Sequence, residues 1–133
     1  MASSDVGLLA PARYVGRVAL RKFVEKLTKP VEELDREQLT SWADARGGVA
    51  LDTAELRHDV RVAGEISSVR IVPRAGADAL EVTVTDGRAT ATAVFLGRHK
   101  IPGLTPGRRV ILDGVLTADD GRRVIYNPIY TLA

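Results

Sequence analysis

Hydrophobic and polar residues follow two different rhythms along this chain, and the rhythm changes near residue 57. Before that point apolar residues recur every three or four positions. Leu20, Phe23, Val24 and Leu27 form an i, i+3, i+4, i+7 stripe, which predicts an amphipathic helix, with Arg13, Arg17 and Arg21 four apart on another face. Thr28-Lys29-Pro30 is expected to end that helix and open a second, because proline is tolerated in a first turn and Glu32 and Glu33 suit the positive end of a helix dipole. The second helix carries Leu34, Leu39 and Trp42 to about Arg46, where Gly47-Gly48 stops it. At helical spacing, Phe23 and Trp42 are expected to be packing residues. Residues 49–56 read as a connector.

From residue 57 the period becomes two. A long first strand is expected over residues 60–72, with Gly64 near its middle, where a missing side chain permits a sharp bend. After a turn at residues 73–78, the second strand alternates Leu80, Val82 and Val84 against Glu81, Thr83 and Thr85. Asp86-Gly87 is a hairpin signal. The third strand sets Ala89, Ala91, Ala93 and Phe95 against Arg88, Thr90, Thr92 and Val94. A Gly- and Pro-containing link over residues 97–107 leads to a fourth strand at 109–117. Asp119-Asp120-Gly121 then turns into a fifth at 123–132, where Pro128 lacks a ladder donor and predicts a bulge or an edge. Five short strands in this order predict a mainly β chain. The expected architecture is a five-stranded Greek-key barrel of the OB type at residues 57–133, preceded by two N-terminal α-helices within 13–56 and a flexible segment at 1–12.

Composition narrows the chemistry. At 133 residues there is room for one modest core. The chain has no cysteine, which excludes disulfides, thiolate metal sites and cysteine nucleophiles. No apolar run approaches the roughly 18–20 residues that span a bilayer, so no membrane span is expected. The first arginines follow the mixed N-terminal stretch instead of preceding an apolar one, so a cytoplasmic location is expected. The formal net charge is only +2, but it is unevenly spread. Residues 13–29 hold six basic residues and one acid, residues 30–56 hold seven acids and two arginines, and the remainder is again basic. Basic ends attract phosphate because each neutralised phosphate releases counterions.

Three stretches carry a resemblance. "RVAGEISSVR", "LEVTVTDGRATATAVFLGRHKIPGLTPGRRVILDGVL" and "GRRVIYNPIYTL" resemble the small OB-fold nucleic-acid-binding-domain proteins of high-GC Gram-positive bacteria. More distantly they are similar to anticodon-binding-type OB domains and to the wedge domain of RecG helicases. The shared features are a strand ending in Asp86-Gly87, an apolar strand ending in "FLG", a "PG" before the fourth strand, and Asn127, Pro128 and Tyr130 near the end. Fifteen arginines against four lysines fit a high-GC genome. The resemblance implies the barrel and a bacterial nucleic-acid-binding setting.

OB domains bind ligands on the outer face of strands two and three, between the loops joining strands one to two and four to five. On this sequence the loops hold Arg74, Arg122 and Arg123, with Arg70 close by, and the face offers Glu81, Thr83, Thr85, Arg88, Thr90 and Thr92. Arginine forks pair with phosphate and stack on bases, and threonine hydroxyls bond phosphate or sugar. The alternation turns Phe95 inward, so the floor lacks a ring, and Tyr126 is the best remaining base platform. Arg98, His99 and Lys100 form a compact basic cluster in the link. The two histidines, His58 and His99, have no third ligand at a metal spacing, and Asp119-Asp120 reads as a turn former. No catalytic residue, metal or cofactor is expected. The expected function is non-enzymatic binding of single-stranded DNA or RNA with little sequence specificity. The alternative is a protein-interaction module that docks, or self-associates, through residues 13–46.

Overall fold

The computed structural model describes residues 17–133, with side chains from residue 31 onward. The expected flexible segment 1–12, the arginine face at 13, 17 and 21, and the stripe of Leu20, Phe23, Val24 and Leu27 lie outside the described residues or side chains. Arg36–Ala133 forms one compact unit. No helix among the described residues is long and apolar enough to cross a membrane.

One helix, α1 (Arg17–Ala45), stands where two were expected. Pro30 lies inside it. The helix runs 29 residues through it, although an interior proline removes one backbone donor and crowds the carbonyl four residues back. The stop at Gly47-Gly48 is as expected, and its geometry is a Schellman cap. Gly47 takes φ +81°, its N–H donates to the Asp44 carbonyl at 3.0 Å, and the Gly48 N–H donates to the Ala43 carbonyl at 3.0 Å.

The strands are β1 (His58–Val72), β2 (Ala79–Thr85), β3 (Thr90–Leu96), β4 (Arg109–Asp119), β5 (Arg122–Tyr126) and β6 (Ile129–Leu132). They form one sheet in the order β1-β2-β3-β5-β4-β6, and a further pairing of β1 with β4 closes the first five into a ring. All pairings are antiparallel except β3 with β5. Closure depends on the long first strand. Its first half pairs with β4 up to Glu65↔Arg109, and its second half pairs with β2 from Glu65↔Thr85 onward. Gly64 sits at that handover. A Cβ there would collide with the Thr85 carbonyl oxygen and lie 2.7 Å from Val84 Cγ1, so only glycine lets β1 bend this close to β2.

The fifth predicted strand is broken into β5 and β6. Asn127 turns to φ +49° between them; its N–H donates to the Val94 carbonyl, and its side-chain oxygen accepts from the Leu96 N–H at 3.0 Å. Pro128 follows at the break, without a ladder donor. Between β4 and β5, Asp120 and Gly121 take φ +55° and +78°, the pair of left-handed residues that a two-residue type I′ hairpin requires.

The ring's interior holds the inward residues of β2 and β3 that the alternation predicts, Leu80, Val82, Val84, Ala91, Ala93 and Phe95. Ile66, Leu112, Leu116 and Ile125 complete the wall, while Leu51 from the connector and Ile101 and Leu104 from the 97–108 link fill its openings. Phe95 meets Tyr130 of β6 edge to face at 5.9 Å.

Candidate nucleic-acid interface

The candidate site lies on the outer face of β2, β3 and β5. Register brings its rows together: Arg70 lies opposite Glu81, Glu81 opposite Val94, and Val94 opposite Tyr126. Glu81 is 3% exposed and is the hub. Its Oε1 accepts from Arg122 Nη1 at 3.0 Å and from Arg70 Nη2 at 3.4 Å. Burial pushes the Glu81 carboxyl up, but the two guanidiniums outweigh that and hold it below the usual carboxylate range. The same contact raises Arg122 above the ordinary arginine value. Thus arginines from β1 and from the start of β5 meet over a single carboxylate.

Asp119, at the end of β4, is a second anchor. It accepts from the Tyr126 hydroxyl and lies 3.9 Å from Arg74 Nη2. The Arg74 guanidinium also sits 5.6 Å from the centre of the Tyr126 ring, a cation–π pair, while its Nε is buried with no partner among the described residues. Beneath this layer Ala79, Val94 and Val124 form a small apolar cluster, fully buried, on the outside of the ring. The long stems of arginine cover apolar surface in this way while their heads stay wet.

The expected open floor is therefore corrected. Glu81 and Thr92 are buried, and what reaches the surface there is the arginine layer itself, Arg70, Arg74 and Arg122 with Tyr126. Thr90 stays exposed but lies opposite Thr85 at the far, hairpin end of β3, away from that layer. His99 pairs with Asp78 at 3.0 Å, which places the exposed Arg98-His99-Lys100 cluster beside the 73–78 loop that carries Arg74.

Two of the expected arginines also lie elsewhere. Arg88 is committed to Asp44 of α1, with Nη2–Oδ2 at 2.8 Å and Nη1–Oδ1 at 3.2 Å, and to Asp86 at 3.4 Å. Its partner Asp44 is held below the usual carboxylate range by that bond, and Arg88 itself is raised by it. Arg123 has the opposite strand parity to Arg122 and donates to the Asp52 carbonyl. Consecutive side chains of a strand point to opposite faces, so Arg122 and Arg123 cannot share a groove.

The sequence places Glu81 on this face and Asp119 in a turn, but residue type alone gives neither an anchoring role. Glu81's signal was its position opposite Arg70 on one face of an antiparallel pair. Among the described residues no group of three or more histidines or carboxylates could hold a metal ion.

No protein-family model matches the chain, and no curated protein sequence matches it. Solved structures do. The structure of RecG bound to a three-way DNA junction superposes with a TM-score of 0.52 at 18% identity, over 59% of this chain. In fold, the chain resembles part of RecG. The match takes in only 11% of the RecG chain, so most of RecG has no counterpart here.

Proposed function

We propose that this chain is a non-enzymatic OB-type module that binds single-stranded nucleic acid through Arg70, Arg74, Arg122 and Tyr126. The observation that carries this reading is the convergence of three guanidiniums from β1, the 73–78 loop and β5 on one face, each held by a carboxylate or a ring. A guanidinium has five donors, and Arg70 and Arg122 each give one to Glu81, so the others point to solvent pre-aimed. Two features supply support of a different kind: the ring topology, and the RecG likeness, since RecG's structure holds DNA. The sequence resemblance to small bacterial OB-fold proteins supports the same class. Arg98 and Lys100 extend the basic rim, and Tyr126 offers its remaining surface to a base.

Three guanidiniums against Glu81 and Asp119 leave little net charge on the layer, so affinity is modest and salt-sensitive, with no base-edge readout. The test is fluorescence anisotropy of a labelled single-stranded oligonucleotide. Binding is expected at low salt and falls steeply as salt rises, and Arg74→Glu with Arg122→Glu weakens it at least tenfold. An anisotropy that stays flat at low salt overturns the reading.

A further inference from the structure

On a different side of the ring, Trp42 of α1 holds two arginines: Arg46, one turn on along the helix, lies 5.2 Å from the ring centre, and Arg109 of β4 lies 5.1 Å from it. Both guanidinium centres are thus within about 10 Å of each other by way of one indole. Neither forms a salt bridge among the described residues, although Glu65 faces Arg109 in the β1–β4 register. The neighbouring acids are taken: Asp44 by Arg88 and Asp113 by Arg61. Two like charges gathered on one indole, neither within salt-bridge distance of a carboxylate among the described residues, repel, and an anion placed against both relieves that repulsion. The outer layer over β2, β3 and β5 differs in that each of its three cations, Arg70, Arg74 and Arg122, lies within 3.9 Å of a carboxylate oxygen.

We propose that Arg46 and Arg109, presented by Trp42, form a second phosphate-contact site for the nucleic-acid backbone, separate from the Arg74–Tyr126 face. The site rests on the nucleic-acid reading above and extends it. Both ring-bound cations hold fixed orientations, so they contact successive phosphates without ordering free side chains first. The indole serves as their mount and reads no base.

Two measurements on the full chain test this. The first is the salt dependence of binding to a labelled oligo-dT. Each lost phosphate contact on a single strand lowers the slope of log K against log salt by about 0.7, so Arg46→Gln with Arg109→Gln lowers it by about 1.4. A merely structural clamp changes the midpoint of unfolding and leaves that slope alone. The second uses the wild-type chain and needs no variant: Trp42 is its one tryptophan, and its emission is expected to change on adding oligo-dT and to revert with salt. A wild-type chain that binds by anisotropy while Trp42 emission stays constant, or a variant with an unchanged slope, overturns this site and leaves the first face standing. No binding by the wild-type chain overturns both.

Discussion

Glu81 shows how one side chain sets the character of a face. A buried carboxylate is costly to desolvate, and here it is stabilised by two arginines that would otherwise repel each other. Glu81→Gln keeps the shape and removes the charge. Hydrogen bonds to charged groups contribute about 1.5–3 kcal/mol each, and amide substitution retains part of them, so a loss of roughly 1–3 kcal/mol is expected in urea unfolding. The same change frees two guanidiniums, so oligonucleotide affinity rises. A structural ion pair with no ligand role predicts the first effect without the second. The pH dependence has a fixed sign. The folded-state pKa of Glu81 is lowered, so its contribution is complete above the unfolded value of about 4.3 and is lost as pH falls through the lower folded value. The Gln variant lacks that component of acid unfolding.

Asp86 is the second decisive residue, and its role was only half legible. Asp86-Gly87 predicts the β2–β3 hairpin, and the hairpin is there. The sequence does not reveal that the carboxylate is fully buried, accepting from the backbone N–H groups of Leu51, Arg88 and Ala89 at 3.0, 2.8 and 3.1 Å. The Thr40 hydroxyl donates to its backbone carbonyl at 2.8 Å. The Arg88 and Ala89 bonds are local to the hairpin, whereas the Leu51 donor comes from 35 residues away, and no local spacing encodes that third contact. Asp86→Ala orphans all three donors and is expected to cost about 3 kcal/mol or more, read as a fall in the urea midpoint.

At the scale of elements, what could be read depended on whether a local cause decided the outcome. Alternation fixed the inner faces of β2 and β3 down to Phe95, because period two leaves no other choice with one face buried. Gly47-Gly48 marked the helix end, since a left-handed residue must follow the last turn. The break between β5 and β6 was anticipated only as a bulge or an edge, because Asn127 bonds to Val94 and Leu96 of a distant strand. The split of α1 at Pro30 was expected from a local rule that the rest of the helix overrides. Arg88 and Arg123 were placed in the site by residue type, whereas parity and the buried Asp86 direct them away. Gly64 belongs to this scale as well: Gly64→Ala drives a Cβ into the Thr85 carbonyl, a backbone atom that cannot move aside. Overpacking of this kind costs about 1–3 kcal/mol or more, and a thermal midpoint lower by several degrees is expected, with β1 pairing to β2 the first to be lost.

Across the whole molecule, a near-neutral chain displays guanidiniums in two modes. Over β2, β3 and β5 they are tied to acids beneath them, which orders them and dilutes their field. Around Trp42 they are held by an aromatic ring and form no salt bridge among the described residues. An even net charge therefore conceals directional basic surface, and the ring that β1 and β4 close is the frame that keeps those arginines apart or together. Binding by such a surface follows position more than total charge.

The most direct test of the central claim is an amide-resolved titration. A ¹⁵N-labelled chain is titrated with unlabelled oligo-dT at low salt, and each backbone resonance is followed to saturation. The account predicts that Arg70, Arg74, Arg122 and Tyr126 shift together with a common midpoint and recover when salt is added. Saturation with those four amides stationary contradicts it.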